Sequence, residues 1–295
     1  MSIETLVLGF LLASVLAFLS PAVQETARRL CEHRPRRIWA VPALLTALFS
    51  GAALLAGAAS VRLCLAVLAY TAAPVLCVSA QGPGSVKRPT ALDFLAILLL
   101  WLPLEFGAGA SLVPVPARGF LHSAAYGTAI LLGLALFLAF RPFPGLRYNP
   151  PKRPADLWLP VIGFAAVAPV LILVGIGIGF IPPPHLPVKS AATMVAAAPL
   201  IFAATALPEE ILFRALIQNF LELRFGGGIP TLLAASLIFG SAHLDNGPQA
   251  LPNWRYMIEA TIAGIAYGAV FRRASTVLSS AGLHMLVDWT KHFFF

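Results

Sequence analysis

Long, predominantly apolar runs dominate the chain, and nothing else in it constrains the fold as strongly. They cover residues 3–20, 38–59, 62–80, 91–110, 121–140 and 157–180, a long stretch 191–224, and then 229–243, 256–271 and 275–291. A helix needs about 20 mostly apolar residues to cross the hydrocarbon core of a bilayer, so the pattern predicts an integral, multi-pass membrane protein. The runs are too long and too evenly apolar for barrel strands, which alternate over about ten residues. The expected fold class is therefore an all-α polytopic bundle of transmembrane helices. Composition closes off the soluble alternative. Hydrophobic types make up 59% and charged types 11% of the 295 residues, where a soluble domain carries about 25% charged.

The formal charge of +8 invites a nucleic-acid reading, but the position of the bases argues against it. Arg28, Arg29, Arg34, Arg36 and Arg37 follow the first run, and Lys87, Arg88, Arg141, Arg147, Lys152 and Arg153 fall between later ones. Clusters in short connections set membrane orientation and do not form a basic domain, so no nucleic-acid partner is expected. Counted as loops, they favour ten crossings with both termini outside. The first run follows Glu4 and precedes arginines, which predicts a retained span. Cys31, Cys64 and Cys77 have no spacing that makes a disulfide framework or a zinc knuckle. The stretch 191–224 would be about 51 Å long as a straight helix against a core of about 30 Å, so a bend is expected at Pro199 or Pro208.

An ionisable group inside an apolar span costs about 2.5–3.5 kcal/mol on insertion scales and needs a reason. The last third of the chain holds several. Pro208-Glu209-Glu210-Ile-Leu-Phe-Arg214 places Glu210 and Arg214 at i and i+4, where they can neutralise each other. Glu209 is rotated about 100° from Glu210, so the two carboxylates are not expected to share one partner equally. His243 ends Phe239-Gly-Ser-Ala-His, and His284 stands four residues before Asp288, which can orient its ring. Counted from the turn Gly226-Gly227-Gly228 and from a second turn near Arg272 to Ala274, these positions fall within about 11 Å of depth. Four helices from Pro208 to Lys291 are therefore expected to bring Glu209, His243, His284 and Asp288 to one cavity.

A carboxylate and imidazoles in a low-dielectric cavity make a water-activating set. Glu209 could take a proton from water attacking a carbonyl, with an imidazolium stabilising the oxyanion. If a metal is used, Glu209, His243 and His284 also suit Zn²⁺, and spacing alone does not separate the two chemistries. No His-Glu-x-x-His and no Gly-x-Ser-x-Gly occurs. Small residues at Gly175 and Gly179 and at Gly264 and Gly268 permit close helix approach. Asp93 and Glu105 are expected at span ends near the interface. Glu259 is expected in a surface ion pair with Arg255, Asp245 and Asn246 at the cavity mouth, and Phe293 to Phe295 facing lipid.

At these residues the sequence resembles the CPBP family, the intramembrane proteases that include CAAX-prenyl endopeptidases and bacteriocin-processing, Abi-like members. The pattern Glu-Glu-x-x-x-Arg, Phe-x-x-x-His, His-x-x-x-Asn or Asp appears in order at Glu209 to Arg214, Phe239 to His243 and His284 to Asp288. The likeness divides the chain into residues 1–190, membrane helices without a family signal, and 191–295, a catalytic membrane core. It implies an endopeptidase that cuts a membrane-anchored or lipid-modified protein. Glu209 and His243 would activate water, His284 and Asp288 would hold the oxyanion, and Glu210 and Arg214 would support them. An ionised Asp288 would repel an oxyanion where Asn would donate to it, so Asp288 is expected to be protonated, to orient His284 or to bind a metal. The competing expectations are a non-catalytic immunity or scaffold protein on the same fold and an ion-coupled transporter.

Overall fold

Apolar helices carry the whole architecture, and no strand occurs among the described residues. A computed structural model describes residues 3–106, 119–247 and 249–295, so the end of the run predicted at 91–110 lies outside the described residues. The chain forms two units, residues 1–145 and 146–295.

In the first unit, α1 (Ile3–Ala17) is followed by α2 (Pro21–His33) after a bend of 86°. The Arg-rich segment expected as a connection is thus itself helical. Pro21 opens it, where a missing N–H costs nothing. A short 3₁₀ turn, Pro35–Trp39, leads into α3 (Ala40–Leu55), and α4 (Val61–Ser79), α5 (Ala91–Glu105) and α6 (Phe120–Leu134) follow. Asp93 lies in the first turn of α5, at a helix end as its sequence position suggested, but it does not face solvent or lipid. It is fully buried, closes a capping box with Thr90, and meets Arg141 Nε at 2.9 Å. Gln81 joins both side chains, donating to Asp93 Oδ1 and accepting from Arg141. The bases at the end of α6 are therefore not all topology charge.

The second unit contains α7 (Ala155–Gly177) and one continuous helical stretch, Ala191–Phe225. That stretch runs through α8 (Ala191–Ile201), a π-helical turn Phe202–Ala206, α9 (Leu207–Glu210), a second π segment Ile211–Gln218 and α10 (Asn219–Phe225). The stretch stays helical through Pro199 and Pro208, where a bend was expected, and π segments follow each proline. A wider i→i+5 turn beside each proline accommodates a residue that cannot donate, so the helix widens locally and continues. Gly226, at φ 97°, turns the chain into α11 (Ile229–Ser241), and α12 (Trp254–Arg273) and α13 (Leu278–Phe294) complete the unit.

Small residues set the spacing of these helices. Gly264 and Gly268 of α12 face Ser236 and Leu232 of α11, and Gly163 brings α7 against Leu283 and Val270. Asp156 ties the start of α7 to the α12–α13 turn, accepting from Ser275 N at 2.8 Å and from the Ser275 hydroxyl. By length and apolarity five described helices suffice to cross a bilayer, or six if α1 and α2 make one broken span. Ten runs were expected to cross. Several of them form helices of 13–17 residues, or helices with charges at their ends as in α12.

Candidate active site

Glu210 and Arg214 lie at the base of the site. Both side chains are fully buried, with Arg214 Nε 3.3 Å from Glu210 Oε2. The guanidinium also stands over the rings of Phe239 and Tyr267, 5.0 and 5.9 Å from their centres. A charge this deep is tolerated because an anion, two π faces and Gln218 Oε1, which accepts from Nη1 at 3.4 Å, surround it.

His284 on α13 is the hub. Its Nδ1 lies 3.2 Å from Glu210 Oε1, while Nε2 lies 3.5 Å from Asp288 Oδ2 and 3.8 Å from Glu209 Oε2. The two adjacent glutamates thus share one partner, each at a different ring nitrogen. Exposure separates their parts. The side chains of Glu209 and Asp288 are each 30% exposed, whereas Glu210 is sealed, so only the first two acids can be reached from the cavity. Tyr267 stacks on the imidazole with centroids 4.6 Å apart, which fixes the ring plane.

His243 sits in the turn just past Ser241, not on the helix expected to carry it. The sequence Leu-Asp-Asn-Gly that follows is turn-forming, and Asn246 donates to the carbonyl of Ala242, ending α11 before the histidine. His243 Nδ1 is 2.9 Å from the carbonyl of Phe239. A carbonyl only accepts, so Nδ1 carries the hydrogen and Nε2 of the neutral ring is the acceptor. Phe239 presents its ring to both imidazoles, with centroids 4.8 Å from His243 and 5.8 Å from His284.

Glu209, His243, His284 and Asp288 line one cavity of about 750 Å³, open mouth included. Its apolar wall comes from Phe164, Ala168, Leu171 and Ile172 of α7. Sequence reasoning left α7 without a role, although Gly175 and Gly179 were read as permitting close helix approach. Tyr256, Tyr267, Glu259 and Lys291 also line the cavity and were not anticipated there. Glu259 is 6% exposed and forms no surface pair with Arg255, whose Nη1 donates to Gly179 O. Asp245 and Asn246 are exposed and do not line the cavity, Phe293 is buried, and Phe295 reaches the cavity wall.

Among the described residues, no three His, Cys, Asp or Glu side chains are arranged to hold a metal ion. Both nitrogens of His284 already face carboxylates.

Residues 191–290 match the family model of the Rce1-like type II CAAX prenyl endopeptidases. This is the grouping that the three motifs indicated, and it supports a CAAX-type intramembrane protease acting on membrane-associated substrates. No curated protein and no solved structure matches the chain.

Proposed function

From the family match and the geometry of the cavity, we propose that the chain is an intramembrane endopeptidase that hydrolyses a peptide bond of a membrane-anchored or lipid-modified protein with water activated by Glu209 and His243. The convergence of Glu209, His243, His284 and Asp288 on one cavity carries this reading. Glu209 or the bare Nε2 of His243 takes a proton from water as its oxygen bonds to the scissile carbonyl carbon. The carbonyl electron pair moves onto oxygen, where an N–H of His284 donates to it. Both nitrogens of His284 face carboxylates, and both can donate only when the ring carries two protons. Asp288 and Glu210 therefore act by holding that ring charged and oriented, which gives Asp288 a part that needs no contact with the oxyanion. The proton taken from water passes to the amide nitrogen, the C–N bond breaks, and the carbonyl re-forms as a carboxylic acid.

If a metal is used, Glu209, His243 and His284 are the residues that would offer it ligands. Their present arrangement does not converge on a common point, and no step above passes through one.

The test is a comparison of membrane-protein termini from cells carrying the wild type, Glu209→Ala or His243→Ala. Each variant is expected to insert and purify normally while the cleaved termini disappear. Dialysis of the wild type against 1,10-phenanthroline is expected to leave the rate unchanged. Full cleavage by Glu209→Ala would remove the proposal, and a loss on dialysis that zinc restores would move the chemistry to a metal.

A further inference from the structure

Two charged side chains in the cavity take no part in the scheme above. Glu259 of α12 is 6% exposed, and its Oε1 is buried without a hydrogen-bond partner. That oxygen packs toward Gly175 of α7, 3.4 Å from where a Cβ there would stand. Lys291 of α13 holds its Nζ between two rings, 4.3 Å from the centre of Phe180 and 4.2 Å from that of Tyr256. No carboxylate lies within 4 Å of it among the described residues, Glu259 included. An acceptor and a donor of opposite charge thus line one apolar cavity without satisfying each other, a costly arrangement unless something else completes it.

Their level is fixed by the helices. Lys291 follows His284 by seven residues, and Glu259 precedes Tyr267, the residue stacked on His284, by eight. At 1.5 Å per residue each is displaced about 10–12 Å along its helix from the catalytic ring. Tyr256 bounds the same interval, with its ring centre 4.5 Å from that of His243 and 4.2 Å from Lys291 Nζ. An extended chain advances about 3.3–3.6 Å per residue, so the charged pair stands about three residues from a carbonyl placed among the catalytic groups.

We propose that Glu259 and Lys291 are a second station of the cavity, one that grips a backbone peptide group of the substrate about three residues from the bond that is cut. The inference rests on the protease reading and names what holds the substrate in register. A peptide group offers one carbonyl oxygen, which Lys291 takes, and one N–H, which Glu259 accepts. A neutral group with both functions suits a station of zero net charge better than a lone anion, which Glu259 would repel. Grip through the backbone leaves the side chain at that position to the apolar wall of Phe180 and Ile181.

The experiment uses the full-length enzyme and a quenched peptide with a farnesylated cysteine three residues from its carboxyl end. Lys291→Met and Glu259→Leu are each expected to raise KM about tenfold or more, as for one lost charge-assisted hydrogen bond, with kcat within about twofold. Lys291→Arg and Glu259→Gln keep a donor and an acceptor and are expected to restore KM. N-methylation of one backbone amide should raise KM for the wild type and add nothing in Glu259→Leu. A fall in kcat at constant KM in both variants would overturn the proposal. So would an N-methyl penalty that adds fully to Glu259→Leu at every position, or a Lys291→Met defect that vanishes on a carboxamide-ended peptide. Binding of the same peptide to Glu209→Gln separates this inference from the protease reading. If binding weakens with Lys291→Met and Glu259→Leu while the wild type cuts nothing, the station stands and the proteolytic reading falls.

Discussion

At the scale of single residues, the site depends on charges that would be intolerable one at a time. Arg214 is the clearest case, since its guanidinium is sealed and stands beside a glutamate that in turn holds His284. Arg214→Met would leave Glu210 buried without its arginine and with His284 facing it, and truncating one partner of a buried pair costs about 3–5 kcal/mol. A drop in melting temperature of the purified protein in detergent, larger than that of the double variant Glu210→Gln/Arg214→Met, is the expected outcome, because replacing both partners removes the orphan. Of this cluster, the i, i+4 spacing of Glu210 with Arg214 and of His284 with Asp288 was legible in the sequence, because a helix alone fixes it. The contact between Glu210 and His284 spans 74 positions and belongs to no local pattern.

At the scale of helices, close approach of backbones brings the cavity-lining side chains together, and glycine permits it. A Cβ on Gly240 of α11 would overlap Thr261 Oγ1 and lie 2.6 Å from the carbonyl oxygen of Met257, a backbone atom that cannot swing aside. Gly240→Ala is expected to force α11 and α12 apart, costing about 1–3 kcal/mol of stability, and to displace His243, which follows three residues later. Thermal unfolding and the cleavage rate of this variant check both effects. Gly177→Ala is the control: nothing among the described residues lies within 4 Å of its Cβ, and losing a helical glycine should be neutral or stabilising by up to about 1 kcal/mol. Helix order and the levels of the motifs followed from counting residues between turns. The π segments within Ala191–Phe225 did not, because a proline in sequence signals a bend, while neighbouring π turns that accommodate it leave no residue signature.

At the scale of the whole molecule, the two units carry separate buried polar cores. In the first unit Asp93, Arg141, Gln81 and Thr90 bond to one another, and none of the four lines the cavity, so Asp93→Ala is a test of stability. It strands Arg141 and is expected to lower the melting temperature by an amount corresponding to about 3–5 kcal/mol. A variant that unfolds at the wild-type temperature would show that water already satisfies that arginine. The family match begins at residue 191, while the compact second unit begins at Leu146 and takes one cavity wall from α7. The sequence by itself determined that this protein lives in lipid, that it is helical, and which acids and histidines are too costly to be there without a use. Those properties follow from composition and from periodicity along one helix. Only the tertiary structure decided that three carboxylates lie within 4 Å of the His284 ring, that α7 lines the cavity, and that Glu259 and Lys291 face into it. Such contacts depend on how separate helices are rotated and spaced against one another, and each helix's own sequence is compatible with many such packings.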